Sequence, residues 1–215
     1  MKIDLTLPRQ IYANVNLPAS KSISNRMLII QKLSGGKIEL ANISQCDDTF
    51  VMEKALEKPS DVTDIKAAGT AMRFLTAYFA NSPIETIMTG TERMKNRPID
   101  ILVKSLHHVG ADISYTDREG FPPLRIKGKQ LPGGTVSMPG NVSSQFISAM
   151  LMVAPAFTHG VTIMMQGEVV SRPYINITLN LMRQFGIRIE EPDKYTFVVY
   201  PGKYGEGSYT IENDW

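Results

Sequence analysis

The sequence contains a single cysteine, Cys46, and only three histidines. One cysteine cannot form an internal disulfide, which fits a reducing compartment. The formal net charge is only +2, because 23 lysines and arginines oppose 21 aspartates and glutamates. Binding to nucleic acid needs a concentrated basic face, so we expect no nucleic-acid partner. Any anion must therefore be bound by locally placed groups.

Long apolar runs are also missing from the sequence. No apolar run approaches the roughly 18 residues of a membrane span. The N-terminal stretch MKIDLTLPRQ carries charges and a proline where a signal peptide has its apolar core. We therefore expect a cytoplasmic protein with no membrane partner. Metal-ligand spacings and a nucleotide-binding glycine-rich loop are absent too, so no metal and no cofactor are expected.

What the sequence does contain is a pattern that recurs three times. Each copy has a turn of small residues, an apolar helix, a short strand and a second helix. The turns comprise residues 18–22, 67–70 and 139–144. Hydrophobic residues make up 43% of the 215 residues, enough to bury a sizeable core.

The three copies predict specific elements. In the first copy we expect a helix over 22–33, a strand over 37–41 and a helix over 49–56. In the second copy we expect a strand over 85–88, a second helix beginning at Arg97-Pro98, and a strand pair at 111–116 and 123–127. In the third copy we expect a strand over 161–165, a second helix beginning at Arg172-Pro173, and a strand pair at 187–191 and 195–200. Proline suits the first turn of a helix, which supports both helix starts. The first copy shows no clear equivalent of these strand pairs.

This organisation predicts an α/β (α+β) fold. We expect one domain, residues 14–210, made of three repeated βαβαββ-type units. The helices are apolar over wide arcs, so they are expected inside and the sheets outside.

Charged and hydroxyl residues gather at the predicted helix starts, where unpaired N–H groups and the helix dipole attract anions. Taken singly, each is more typical of a helix cap or a solvated surface. Their recurrence at corresponding places predicts one anion-binding surface. The residues concerned are Ser20, Lys21, Ser22, Ser24, Arg26, Arg97, Ser143, Ser144 and Ser171.

Five segments, in order along the chain, resemble the 5-enolpyruvylshikimate-3-phosphate synthase family. They are LPASKSISNR (17–26), AGTAMR (68–73), TG with RMKNRP (89–90 and 93–98), VSSQF (142–146) and SRPYINIT (171–178). The resemblance implies transfer of an enolpyruvyl group from phosphoenolpyruvate to the 5-hydroxyl of shikimate 3-phosphate, a step toward aromatic amino acids. It also implies an enolpyruvyl transferase-like, inside-out α/β fold.

The resemblance assigns roles to individual residues. Lys21 would be catalytic, contacting phosphoenolpyruvate and managing charge on the reacting centre. The implied contacts to shikimate 3-phosphate are Lys21, Ser22, Arg26, Ser143, Ser144, Gln145, Ser171 and Tyr174. The implied contacts to phosphoenolpyruvate are Lys21, Gly69, Arg97 and Gln145.

The second motif departs from the family at two positions. The family commonly has asparagine before Ala-Gly-Thr, where this chain has Ala67. It commonly has proline after Met-Arg, where this chain has Phe74. These changes bear on the affinity for phosphoenolpyruvate and for inhibitors.

Members of this family are about twice as long as this chain. The resemblance therefore implies a C-terminal domain as a partner, which supplies the acid and base. We expect residues 1–13 to be a strand segment belonging with that domain, and residues 211–215 to begin the crossover to it. By itself the chain is expected to be inactive or nearly so.

Three other interpretations remain. The sister transferase acting on UDP-N-acetylglucosamine has asparagine after its signature lysine and a reactive cysteine in a mobile loop. Here Ser22 follows Lys21, and Cys46 lies outside the equivalent of that loop. A non-catalytic phosphate-binding module and a repeat scaffold without a ligand are the other two.

Overall fold

The computed structural model describes residues 12–214. Residues 1–11, which make up most of the expected 1–13 strand segment, lie outside the described residues. The same holds for Trp215 at the end of the expected 211–215 crossover.

The first unit is built around a helix that begins at the serine-rich turn. Helix α1 spans Lys21–Leu33, and the side chain of its N-cap, Ser20, accepts a backbone N–H from the first turn. Gly35 and Gly36 follow with φ of 74° and 80°, a left-handed conformation that favours glycine and ends the helix. Strand β1 (Ile38–Ala41) and helix α2 (Asp47–Glu57) come next. The expected bounds of all three elements are confirmed to within two residues.

The second and third units have matching element orders. The second contains β2 (Val62–Asp64), α3 (Gly69–Ala80), β3 (Glu85–Thr89), the short α4 (Glu92–Lys95), α5 (Asp100–His108), β4 (Asp112–Tyr115) and β5 (Leu124–Lys127). The third contains β6 (Gly134–Pro139), α6 (Ser144–Val153), a 3₁₀ turn (Ala154–Ala156), β7 (Val161–Gln166), α7 (Arg172–Gln184), β8 (Ile189–Asp193) and β9 (Thr196–Val199). Strand β10 (Gly207–Thr210) follows the third unit.

Two of the three units place a helix between two parallel strands. Strands β2 and β3 flank α3 in sequence, and β6 and β7 flank α6 in the same way. Both pairs are extended by an antiparallel hairpin, giving the strand orders β2-β3-β5-β4 and β6-β7-β9-β8. In the first unit β10 returns from the far end of the chain and pairs in parallel with β1, Ile38 lying opposite Gly207. Within residues 12–214 this third sheet has two strands, and no hairpin extends it.

The helices form the interior and the sheets the outside, as the sequence predicts. Nearly every residue of α3 and α6 is buried, including Phe74 and Ile147. Strands alternate instead: Ile163 on β7 is fully buried while its neighbour Met164 is 44% exposed. One face of each strand therefore packs on the helices and the other faces solvent. No helix in the described part of the chain combines the length and apolarity that crossing a bilayer demands.

Two details differ from the expected elements. The helix expected at Arg97-Pro98 begins at Asp100, because Ile99 at the N-cap has a non-helical φ of −140°. The Pro98 carbonyl instead accepts a hydrogen bond from Arg73. Strands β2 and β6 were not singled out in the sequence, since β2 has three residues and β6 is bounded by glycine and proline.

The tight packing of Gly128 against the end of α3 gives a test of this fold. A Cβ at Gly128 would overlap the carbonyl oxygens of Phe79 and Ser82, which belong to the backbone and have little room to move. We expect Gly128→Ala to lower the free energy of unfolding by about 2 kcal/mol, as overpacking does. At Gly202 the nearest atom to such a Cβ is Cδ1 of Ile187, 3.8 Å away. Gly202→Ala is the matched control and should change stability by less than about 0.5 kcal/mol. Equal urea midpoints for the two variants would contradict the prediction.

Candidate functional site

Three central helices run parallel and begin side by side. The Gln145 side chain donates to Thr70 Oγ1 at 3.1 Å, and these are the second residues of α6 and α3. The Arg26 guanidinium carbon lies 5.5 Å from the centre of the Phe74 ring, and these are the sixth residues of α1 and α3. Contacts between equivalent early positions mean that the three N-termini lie at the same end of the bundle.

Helix α7 joins them at this end. Arg26 donates from Nε to Thr178 Oγ1 at 2.7 Å and from Nη2 to the Tyr174 carbonyl at 3.3 Å. Its Nη2 also donates to Ser148 Oγ of α6 at 3.2 Å. Four helix N-termini therefore converge, each presenting unpaired N–H groups and a partial positive charge.

Two of the predicted shikimate 3-phosphate residues, Ser22 and Tyr174, line one cavity. This cavity, of about 390 Å³, lies between the starts of α1 and α7. Its wall also includes Glu212 and Asp214, which follow β10. Tyr174 is 49% exposed, so its ring is available to a ligand there.

The predicted catalytic residue Lys21 is the first residue of α1, and its side chain is 49% exposed. Its Nζ lies 3.8 Å from Oδ2 of Asp48, in the first turn of α2. The start of a fifth helix is therefore near the same end. Sequence reasoning missed this contact, because the two residues are brought together only by the packing of α1 on α2.

The three remaining serines occupy helix starts. Ser143 is the N-cap of α6, and its Oγ accepts from the Gln145 N–H at 3.4 Å. Ser144 follows it and is 7% exposed. Ser171 is the N-cap of α7 but makes no side-chain capping bond. In the described part of the chain, the hydroxyls of Ser144 and Ser171 have no hydrogen-bond partner, so both can donate to a ligand.

Gly69 and Arg97, predicted to receive phosphoenolpyruvate, are in contact. The Arg97 guanidinium lies so close to Gly69 that a Cβ there would overlap it. Gly69 is the first residue of α3, so a cation rests against the positive end of a helix. Within residues 12–214 Arg97 has no ion pair or hydrogen-bonded side-chain partner. An anion bound between Arg97 and the α3 N-terminus would relieve this repulsion.

Arg73 lies beside this pair and was not predicted as a site residue. It is 4% exposed, donates to the carbonyls of Gly69 and Pro98, and packs 5.7 Å from the centre of the Phe146 ring. Its Nε is a buried nitrogen without a partner among the described residues. A sequence signal existed: Arg73 follows Gly69 by four residues, as Arg26 follows Ser22.

The two buried arginines give the site its electrostatic character. Burial lowers the pKa of Arg26 to about 10. Burial, and then the charge of Arg97, lower the pKa of Arg73 to about 10. Both groups stay cationic at neutral pH, and neither forms an ion pair with a carboxylate of the described chain. Buried charge without a counter-charge is costly, so this end of the bundle is suited to anionic ligands.

Another hollow, of about 460 Å³, lies between α2 and β2. It is lined partly by the exposed apolar residues Phe50 and Val62, and it contains none of the predicted site residues. The chemistry therefore favours the helix starts as the candidate site over this larger space.

The chain is similar in sequence to proteins of one known family. The family model described as EPSP synthase (3-phosphoshikimate 1-carboxyvinyltransferase) matches residues 52–215. The chain is 53% identical, over 215 residues, to a 3-phosphoshikimate 1-carboxyvinyltransferase of Bacteroides fragilis (strain YCH46); the match takes in 100% of this chain and 52% of that protein. A protein of the same description from Photobacterium damsela subsp. piscicida is 40% identical over 232 residues, which is 95% of this chain and 54% of that protein. The chain thus spans about half the length of the curated relatives it matches.

A solved structure has the same fold. The EPSP synthase from Acinetobacter baumannii superposes with a TM-score of 0.78 at 20% sequence identity. The match covers 93% of this chain and 49% of that one. The likeness shows that the three-unit α/β domain is one found in that structure.

The contact between Gly69 and Arg97 yields a prediction. In Gly69→Ala the new methyl must displace the flexible end of Arg97, so α3 should stay folded while the cation leaves the helix start. We expect affinity for inorganic phosphate, followed by NMR titration, to fall about tenfold, as expected for loss of one charge-assisted hydrogen bond.

Arg97→Ala provides the control background for this prediction. Since the effect acts through Arg97, adding Gly69→Ala to Arg97→Ala should cost nothing further. Additive losses in the double variant would contradict the mechanism.

Proposed function

The chain belongs to the EPSP synthase family, and on that premise we propose that it supplies one half of a site for enolpyruvyl transfer. The enolpyruvyl group would pass from phosphoenolpyruvate to the 5-hydroxyl of shikimate 3-phosphate. The observation that carries this proposal is the convergence of four helix N-termini around buried arginines that lack carboxylate partners. Two phosphorylated, carboxylated substrates have the chemistry that such a surface binds.

In this proposal the acceptor occupies the space between α1, α6 and α7. Ser22 and Arg26 hold the ring and its carboxylate, and Tyr174 lies against the acceptor from the opposite wall of the cavity. Ser143, Ser144 and Ser171 bind the 3-phosphate. Hydroxyls at helix starts suit this role, because they add donors to the backbone N–H groups without adding charge.

Phosphoenolpyruvate occupies the start of α3. Gly69 has no side chain and so leaves space for the Arg97 guanidinium at this helix start, where Arg97 is offered to the phosphate or carboxylate of the ligand. Gln145, tied to α3 through Thr70, lies between the two substrates. Lys21 contacts phosphoenolpyruvate and stabilises charge on the reacting centre. Its distance of 3.8 Å from Asp48 leaves it free to turn toward a ligand.

The other half of the proposed site comes from a second domain, the C-terminal partner of this one. Enolpyruvyl transfer needs protonation of a methylene carbon and deprotonation of a hydroxyl, and we assign that acid–base work to the second domain. Closure of the two domains would exclude water. The adjacency of the segments flanking the domain supports this: Ser20 N donates to the Glu212 carbonyl at 2.8 Å, and Ala19 bridges Asn213. Residues 1–13 and 211–215 would both lead toward the partner.

Acceptor binding can be tested on the 215-residue chain. We expect it to bind shikimate 3-phosphate more tightly than shikimate, because the serines at α6 and α7 add contacts to the phosphate. Ser144→Ala should weaken shikimate 3-phosphate binding about tenfold in calorimetric titrations, as expected for loss of a hydrogen bond to a charged group.

Ser137→Ala is the matched control for Ser144→Ala. Ser137 lies on the exposed face of β6, so its replacement should leave binding unchanged. Tighter binding of UDP-N-acetylglucosamine than of shikimate 3-phosphate would instead favour the sister transferase. Equal affinities of wild type and Ser144→Ala would contradict the assigned phosphate site.

Turnover gives a second test. Without acid–base groups from a second domain, we expect the chain alone to turn over at least about a hundredfold more slowly than the full-length Bacteroides fragilis relative, assayed in parallel. Formation of product from both substrates would be followed at steady state. Near-normal turnover by this chain would show that the described domain is catalytically complete.

A further inference from the structure

Arg26 is a buried cation surrounded by neutral groups. Its side chain is 2% exposed, and its contacts come from four helices. They are the carbonyl of Ser22 on α1, the ring of Phe74 on α3, the hydroxyl of Ser148 on α6, and the hydroxyl of Thr178 and carbonyl of Tyr174 on α7. None of these groups carries a negative charge at neutral pH.

The hydrogen bonds of Arg26 leave one donor over. A guanidinium has five N–H groups. Nε donates to Thr178, Nη2 donates to both Ser148 and the Tyr174 carbonyl, and Nη1 donates to the Ser22 carbonyl at 2.8 Å. The second Nη1 hydrogen has no acceptor among the described residues. Ser22, whose carbonyl accepts from the same Nη1, lines the cavity between α1 and α7.

The two hydroxyls form a directional chain that fixes the guanidinium. Thr178 Oγ1 accepts from Arg26 Nε and donates to the Tyr174 carbonyl at 3.2 Å. Its single hydrogen is then used, so the 2.8 Å contact with Ser148 has Ser148 as the donor. Both oxygens thus accept from Arg26 while their hydrogens point elsewhere. The arrangement orients the guanidinium without neutralising it.

Arg73 is a buried arginine in a similar position whose Nε lacks a hydroxyl partner, so it serves as a comparison for Arg26. Both arginines donate to the carbonyl four residues earlier in their own helix and pack against a phenylalanine of a neighbouring central helix. Nε of Arg26 bonds to Thr178, however, whereas Nε of Arg73 has no partner in the described part of the chain. The Ser148–Thr178 pair therefore distinguishes the surroundings of Arg26 from those of Arg73.

We propose that Ser148 and Thr178 are positioning residues, which hold Arg26 as an uncompensated cation and direct its free Nη1 hydrogen to an anionic group of the acceptor. This inference rests on the proposed function and goes beyond the residues assigned there. Neutral acceptors leave the charge of Arg26 available, whereas a carboxylate at either position would use it.

The test compares Thr178→Val with a matched control elsewhere in the bundle. Valine keeps the shape of threonine but removes the acceptor for Arg26 Nε. Thr76 on α3 is also fully buried and donates to the carbonyl four residues earlier, as Thr178 does, yet it hydrogen-bonds to no arginine of residues 12–214. Thr76→Val therefore makes the same chemical change away from Arg26. Thr178→Ser restores the hydroxyl.

Shikimate 3-phosphate affinity, by calorimetry, and the Arg26 Nε–Hε resonance, by NMR, are the two measurements. We expect Thr178→Val to weaken binding about tenfold and to shift the resonance and speed its exchange. Thr178→Ser should recover affinity to within about threefold, and Thr76→Val should change neither quantity. In an Arg26→Ala background, Thr178→Val should have no further effect on binding.

The remaining outcomes overturn either the inference or the proposed function. Wild-type affinity and an unshifted Nε–Hε resonance in Thr178→Val overturn the inference, as does a full additional loss in the Arg26→Ala background. If Thr178→Val fails to fold, Ser148→Ala replaces it in both measurements, and wild-type values of both then overturn the inference. If the wild-type chain binds no shikimate 3-phosphate, the proposed function is overturned. The Arg26 Nε–Hε resonance of Thr178→Val then shows by itself whether Thr178 holds the guanidinium in place.

Discussion

Arg26 places a full positive charge in the interior, and the packing of the central helices depends on how that charge is accommodated. Its guanidinium contacts α1, α3, α6 and α7 within the first two turns of each. Every one of these contacts is with a neutral group, so the charge is oriented but not cancelled. Three helices hydrogen-bond to this one small group and α3 contacts it through the Phe74 ring, so the early turns of all four must lie close together. The burial of Arg26 and the convergence of the helix N-termini therefore depend on each other.

The sheets complete this arrangement from outside. In two units a pair of parallel strands flanks a helix along the chain, while in the first unit the chain must reach its far end before β10 pairs with β1. Parallel strands present their carboxyl ends at one edge, so the helices that connect them share a direction. The same topology that closes the sheets therefore sets the helix starts side by side. Segments 18–20 and 212–214 meet there because β10 ends where α1 begins.

The sequence predicts the elements whose ends are set by local residues, such as helix caps, prolines and glycines. Helix α1 follows its serine cap and ends just before Gly35 and Gly36, and α7 begins at Arg172-Pro173 as expected. The pairing of β10 with β1 could not be predicted, since it joins residues about 170 positions apart and only β1 was expected as a strand. The site shows the same division. Motif residues identified the helix starts, but the Lys21–Asp48 contact and the environment of Arg26 arise from packing between elements.

The same electrostatics bear on the proposed division of roles between this domain and a second one. Lys21 and Arg97 face solvent at the helix starts, and exposed charges are weakened by water and salt. The buried arginines keep their field, but they are set back behind the helix surface and act on a ligand from one side only. Strong stabilisation of a charged transition state needs donors on several sides and exclusion of water. On the proposed function, a surface built from helix starts would form the first layer of such a site, and a second domain closing over it would convert weak, screened attraction into preorganised catalysis.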